Sequence, residues 1–195
     1  LSSNLSGSYN SAVLGRNLLL ENKPEKKIHV FDSCSASVGE TLIALKIEEC
    51  EQAGMEFEET VETVNKYIES QNTYFVLENL ETLRKNGRLS NLKAFVASAL
   101  KIKPVMGSTP EGTIAQLDQA RGINKALVKM VDYVAKGAVD SKNKVLGITH
   151  CNWPARAEIV KDAILKRIPV KDVVLLDTAG VSTMYANDGG VIVVI

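Results

Sequence analysis

The apolar residues of several segments recur at intervals of three and four, the spacing that places them on one face of an α-helix. The sharpest case begins at Ser90 or Asn91, which suit a helix start, and ends before Pro104, which cannot continue a helix. A short helix with a turn at Gly87 precedes it. Further helices are predicted within residues 12–20, 41–50, 57–68, 123–137 and 155–168, and the apolar stripe of the central helix consists of Leu92, Phe95, Val96, Ala99 and Leu100.

Short runs rich in β-branched and aromatic residues separate these helices and predict strands. Residues 104–107 and 113–121 form a predicted hairpin, because the sequence Ser-Thr-Pro-Glu-Gly supplies the proline and glycine of a tight turn. Strands that alternate with helices indicate an α/β architecture with a mixed sheet. The other predicted strands are residues 28–31, 73–77, 145–148, 173–176 and 191–195.

Composition and charge exclude several classes of protein. Apolar residues make up 45% of the 195 residues, enough for a substantial core, and 23 basic residues balance 23 acidic ones. This balance gives no long-range field for nucleic acid. Cys34, Cys50 and Cys151 are widely spaced and odd in number, which fits a reducing compartment. We therefore expect a cytoplasmic protein with no membrane span, no secretory signal and no metal site.

The residues indicate no catalytic set. His29 lies in an apolar predicted strand, which favours a core position, whereas His150 ends a strand, where ligands often bind in α/β proteins. Neither His150 nor the neighbouring Cys151 has a recognisable partner. The glycine patterns of nucleotide-binding sites are absent. We predict no catalytic residue and no cofactor.

Two polar loops precede predicted helices. Leu1–Gly7 is rich in serine, and such a loop either caps the helix that follows it or binds an anion through hydroxyl and backbone N–H groups. The segment Ser37–Glu40 has the spacing of a capping box and predicts a helix start.

Four motifs occur in the order typical of one family. They are LSSNLSGSYNSA in residues 1–12, VFDSCSASVG in residues 30–39, LETLRKNGRLS in residues 80–90 and TAGVSTMYANDGGVIVVI in residues 178–195. With this order, the chain resembles the DegV family of bacterial lipid-binding proteins over nearly its whole length.

The resemblance implies two α/β domains with a lipid tunnel between them. Residues 1–71 would be the remaining part of the first domain, and residues 72–195 the second, with the final strand returning towards the first. The family pattern also places the earlier part of the first domain, including a threonine that shares the ligand carboxylate, upstream of Leu1. The first domain is therefore expected to be incomplete at its N-terminus in this chain.

The resemblance also implies binding residues. The family's Ser-Ser-x-Leu-Ser-Gly loop corresponds to residues 2–7, and its Gly-Arg-Leu corner to residues 87–89. Ser2 is the first choice for the contact with a fatty acid carboxylate, and Ser3 the second. The full predicted fatty-acid-binding set is Ser2, Ser3, Ser6, Gly7, Arg88 and Arg121.

The function implied is that of a non-enzymatic carrier, which binds a long-chain fatty acid and presents its carboxylate to the catalytic subunit of a fatty acid kinase. One departure bears on the kinase partner. Many kinase-linked members end in His-x-Gly-Pro-Gly, where this chain has the segment Tyr185–Gly190. The alternative is an acyl-ester hydrolase or transferase that uses Ser2 or Ser3 with His150.

Overall fold

The computed structural model describes residues 1–89 and 101–195. The predicted helix with the stripe from Leu92 to Leu100 lies outside these residues. The described helices are α1 (Ser8–Asn22), α2 (Val38–Gln52), α3 (Phe57–Glu69), α4 (Glu81–Lys85), α5 (Ile123–Gly137), α6 (Pro154–Leu165) and α7 (Gly180–Ala186). The strands are β1 (Thr73–Val76), β2 (Ile102–Ser108), β3 (Ile114–Arg121), β4 (Val145–His150), β5 (Asp172–Asp177) and β6 (Val191–Val194). The predicted α/β class is confirmed.

The strands form one mixed sheet in the order β3-β2-β1-β6-β4-β5. The pair β4–β5 is parallel, and the other neighbours are antiparallel. The predicted hairpin is present as β2–β3. Gly112 in its turn has φ +75°, a conformation that glycine adopts without the strain of a Cβ atom.

Helices cover both faces of the sheet. α5 packs against β1, β2 and β3, and α6 packs against β4, so that residues such as Met130 and Val160 share a core with Ile148 and Val193. On the opposite face, α2 packs against β4 and β6, where Val38 and Leu42 contact Val194. The two faces of the sheet carry different residues because successive side chains of a strand point to opposite sides.

Two sequence predictions near the start of the chain are wrong. Residues 28–31 form no strand, because no neighbouring strand within the described residues supplies the hydrogen-bond ladder that a strand requires. His29 is consequently exposed instead of lying in a core, and its ring contacts the edge of the Phe31 ring with centroids 4.5 Å apart.

Two details of predicted helices also differ. α2 begins where the capping box predicts it, but the Ser37 side chain makes no capping hydrogen bond, because its backbone adopts φ +58°. The helical spacing within residues 155–168 predicts a buried face of Ile159, Val160, Ala163 and Ile164. In α6, Ile159 is instead 68% exposed, whereas Ala157, Val160 and Ile164 face the sheet. The helical period correctly predicted the helix α6, but it predicted a wider buried face than the structure shows.

The six strands of the described fold all lie within residues 73–195, and residues 1–71 contribute three helices to it. Asn72 joins the two parts to the end of the chain, because its backbone exchanges two hydrogen bonds with Ile195. The division into domains at residues 71 and 72 stays a prediction. Among residues 1–89 and 101–195, none of the helices has the length and apolarity needed to cross a membrane.

Candidate functional site

A cleft of about 180 Å³ lies on the α2 face of the sheet. Its floor comes from alternate residues of β1, Thr73 and Phe75, and from Leu77 just beyond the strand, with Ile192 of β6 paired to Phe75. Since alternate residues share one face, these side chains point away from the core beneath α5 and α6. The walls include the segment 34–37, the hairpin turn, the loop at Leu5, the corner at Arg88 and residues Val181, Ser182, Tyr185 and Ala186 of α7.

Most of the lining is apolar. Phe75, Leu77 and Leu83 belong to a buried cluster that also contains Ile114 and Ala186. Apolar walls stabilise an apolar ligand because its surface leaves water, at roughly 25 cal/mol per Å² buried. The cleft is therefore suited to a hydrocarbon chain.

The Ser2 side chain is 0% exposed and holds two polar segments together. Its Oγ donates a hydrogen bond to the Gly112 carbonyl at 2.7 Å, and its backbone N–H donates to the Ser35 carbonyl at 2.9 Å. Asn4 N–H donates to Ser2 Oγ at 3.3 Å. Because the single hydroxyl proton points to Gly112, Ser2 in this structure positions the loop and does not donate into the cleft.

Asp32 fixes the same loop from the other side. Its Oδ1 accepts hydrogen bonds from the backbone N–H groups of Ser3 at 3.0 Å and Cys34 at 3.2 Å. Partial burial disfavours the charged carboxylate, but the hydrogen bonds from Ser3 and Cys34 outweigh this effect and lower the pKa of Asp32. Asp32 is thus ionised at neutral pH and connects residues 1–4 to residues 32–35.

Gly112 is the point at which the hairpin turn contacts these two segments. A Cβ atom there would lie 2.5 Å from Ser2 Oγ and 2.7 Å from Cys34 Cα. Both distances are shorter than real Cβ contacts, and the second involves backbone that cannot rotate away. Glycine is therefore required at this position for the loops to meet.

Arg88 brings a positive charge to the cleft. Gly87 turns the chain with φ +73° after α4, and Arg88 Nε then donates to the Leu5 carbonyl at 3.0 Å, while its Nη1 donates to the Asn86 carbonyl. In the described part of the chain, no carboxylate forms an ion pair with Arg88. The charge is free to pair with an anionic ligand group.

The other predicted binding residues are placed differently. Ser3 lies beside Asp32, Ser6 Oγ accepts a hydrogen bond from Ser8 N–H at 3.2 Å, and Gly7 is exposed with φ −69° at the start of α1. Arg121 is exposed at the far end of the hairpin, opposite Ile102. It lies seven residue steps along β3 from Ile114 at the cleft, a distance of roughly 23 Å. The structure brings Ser2, Ser3 and Arg88 into one neighbourhood and leaves Arg121 outside it.

His150 also lies away from the serine loop, defined as residues 1–7. It pairs with Val191, which belongs to the core beneath α5 and α6, so its side chain is on the face opposite to the cleft. Its Nδ1 lies 3.2 Å from Asp177 Oδ1. A serine hydrolase requires a base within hydrogen-bond reach of its serine. The structure does not bring His150 together with Ser2 or Ser3.

Sequence reasoning missed several lining residues. Thr73 and Phe75 of β1 and Leu77 just beyond the strand are alternate residues, and they were predicted only as strand residues. The helix α7, which contains Tyr185, was not predicted at all. The alternation of Thr73–Leu77 was the available signal, since it places the three on one face. Which face lines a cleft depends on elements distant in sequence.

Known proteins match this chain in sequence and in fold. The DegV family model matches residues 1–195. A DegV domain-containing protein of Streptococcus pneumoniae is 35% identical over 188 residues, which are 96% of this chain and 66% of that protein. The chain therefore spans about two thirds of the length of this curated relative.

Solved structures agree with this match. A DegV family protein from Ruminococcus gnavus, refined with vaccenic acid, is 62% identical with a TM-score of 0.97, covering 100% of this chain and 69% of that chain. The Streptococcus pneumoniae fatty acid kinase (Fak) B3 protein, loaded with linoleic acid, is 34% identical with a TM-score of 0.89, covering 100% of this chain and 68% of that chain. The resemblance of the four sequence motifs is confirmed, and the chain belongs to the DegV family.

Proposed function

We propose that this protein binds a long-chain fatty acid in the cleft, with its carboxylate at the rim beside Arg88 and the loop of residues 1–7. The observation that carries the proposal is an apolar cleft whose lining includes a guanidinium without a carboxylate partner in the described residues. Relatives solved with vaccenic acid and linoleic acid support the same ligand class.

The energetics favour this arrangement. Each methylene that leaves water contributes about 0.8 kcal/mol, so a chain of 16 to 18 carbons supplies ample affinity even after the entropic costs of binding. A carboxylate needs donors or a cation, because an unpaired charge in an apolar site is costly. Arg88 meets this need, and Ser2, Ser3, Ser6 and Gly7 are proposed to shape or contact the head group.

At about 180 Å³, the cleft is smaller than the roughly 300–1,000 Å³ of typical small-molecule sites. We propose that the described residues form one wall of a longer tunnel between two domains, divided at residues 71 and 72. Arg121 is not part of this proposed site, since it lies at the far end of the hairpin.

The carrier is proposed to be non-enzymatic and cytoplasmic, and to present the carboxylate to a fatty acid kinase. The similarity to the fatty acid kinase B3 protein supports a kinase partner. The segment Tyr185–Gly190 differs from the His-x-Gly-Pro-Gly ending, and it contributes Tyr185 and Ala186 to the cleft. This departure bears on the partner and leaves the apolar lining intact.

An acyl-ester turnover assay tests the carrier against the hydrolase alternative. We expect no sustained release of product from long-chain acyl esters, because His150 does not face the serine loop. The same protein should retain about one equivalent of free fatty acid. Product formation that continues beyond one equivalent and disappears in Ser2→Ala or Ser3→Ala would contradict the carrier.

A further inference from the structure

Three hydroxyl side chains meet at the end of the cleft where β1 begins. Ser35, Thr73 and Ser108 all line the cleft, and Ser35 and Thr73 are only 4% and 8% exposed. Their immediate neighbour on the cleft face of β1 is Phe75. The hydroxyl cluster, defined as these three side chains, is thus a polar patch in a mostly apolar lining, and the proposed head-group site does not use it.

The cluster has more donors than the described residues consume. Ser35 Oγ and Thr73 Oγ1 lie 2.7 Å apart and share one hydrogen bond, although each carries a proton. Ser108 Oγ accepts a hydrogen bond from Thr73 N–H at 3.2 Å and still has its own proton to donate. Within residues 1–89 and 101–195, at least two hydroxyl protons therefore have no protein acceptor. A buried donor is stabilised when an acceptor reaches it.

The charged groups near the hydroxyl cluster favour an uncharged hydrogen-bond acceptor on the ligand over a carboxylate. Glu40 also lines the cleft, and its neighbour Gly39 lies directly against Ser35, since a Cβ atom there would be 2.1 Å from Ser35 Oγ. Because the terminal ammonium of Leu1 lies 2.5 Å from Glu40 Oε1 and balances its charge, a ligand carboxylate would bring an unbalanced negative charge, whereas an alcohol oxygen accepts a hydrogen bond without a charge. The cation of the lining, Arg88, is attached instead to Leu5 and Asn86.

We propose that the hydroxyl cluster binds an oxygen atom carried along the acyl chain, so that the protein prefers hydroxylated fatty acids to unsubstituted ones of equal length. This inference rests on the proposed function, because it assumes that an acyl chain occupies the cleft. A hydroxyl on the ligand would accept from Thr73, Ser35 or Ser108 and leave the rest of the chain against Phe75 and Ile192.

The test compares the dissociation constant of stearic acid with those of a positional series of hydroxystearic acids, measured on the protein at its full natural length. At least one isomer should bind about 3- to 10-fold more tightly than stearic acid, the effect of one net hydrogen bond. Equal affinity for stearic acid and every isomer would overturn the inference while leaving the proposed function standing. Absence of stearic acid binding would overturn both.

Substitutions in the hydroxyl cluster test whether it causes the preference for a hydroxylated fatty acid. Thr73→Val and Ser35→Ala should reduce the preferred isomer's advantage over stearic acid, with both acids measured on the same variant, to about onefold. Thr183→Val is the matched control, because Thr183 is exposed on α7 and bonds to Thr178. Ser108→Ala provides a second variant if loss of the Ser35–Thr73 bond unfolds the protein. An advantage that persists in folded Thr73→Val and Ser35→Ala would show that the cluster is structural only.

Discussion

Replacing Gly112 with alanine is expected to lower the free energy of unfolding by about 2–5 kcal/mol and to abolish fatty acid binding. The positive φ of +75° costs a residue with a Cβ atom about 1–2 kcal/mol. The new methyl group would also lie 2.5 Å from Ser2 Oγ and 2.7 Å from Cys34 Cα, and overpacking of this kind costs about 1–3 kcal/mol. Relief of the contact would move the serine loop and the wall at Cys34 apart, and both border the proposed site.

Gly87→Ala is the matched control. Gly87 has nearly the same φ, +73°, but none of the atoms of residues 1–89 and 101–195 lies within 4 Å of the position that a Cβ atom would occupy. Gly87→Ala should therefore lower the free energy of unfolding only by the cost of the positive φ, about 1–2 kcal/mol. Urea denaturation followed by circular dichroism measures both values. Equal destabilisation by the two substitutions would show that the contact of Gly112 with Ser2 and Cys34 does not hold the loops together.

Replacing Arg88 with alanine is expected to weaken binding of stearic acid by about 10- to 100-fold, the effect of one charge-assisted hydrogen bond, while octadecanol binding stays unchanged. The alcohol has no carboxylate for the guanidinium to stabilise. In a reaction reconstituted with a fatty acid kinase catalytic subunit, acyl phosphate formation should fall by about 100-fold or more, as when a donor to developing charge is removed.

Arg84→Ala is the control for Arg88. Arg84 lies on the neighbouring α4, forms an ion pair with Glu81 at 2.8 Å and does not border the cleft. Arg84→Ala therefore changes the net charge by the same amount as Arg88→Ala. Isothermal titration with the acid and the alcohol separates the two variants. If acid and alcohol lose the same affinity in Arg88→Ala, Arg88 shapes the cleft through its bond to Leu5 and does not bind the head group.

Periodicity predicted the elements well where one face of a segment is buried. The helix ending near Gly137 appears almost at its predicted bounds, since its buried apolar residues lie on one side, whereas the strand at Thr73–Leu77 was predicted from residue type and is buried on both faces. The hairpin was predicted from turn chemistry, because proline and glycine act locally. The predicted strand at residues 28–31 failed because strand formation depends on a neighbour, which sequence periodicity does not supply.

The candidate site was only partly predictable. The serine loop and Arg88 came from sequence motifs, and the structure brings them together through Leu5. The bond from Ser2 to Gly112 spans 110 residues, so no local pattern indicates that the hydroxyl proton is used there. The separation of His150 from that loop likewise follows from sheet order, since neighbouring residues such as Val191 and Ile192 face opposite sides.

Native mass spectrometry of the purified protein at its full natural length tests the central claim most directly. A fatty acid held in the cleft should survive purification, because burial of its methylenes slows dissociation. We expect a population heavier by the mass of one long-chain fatty acid, with the added species released on denaturation and detected as the free acid. A protein that stays ligand-free as purified and after incubation with excess stearic acid would contradict it.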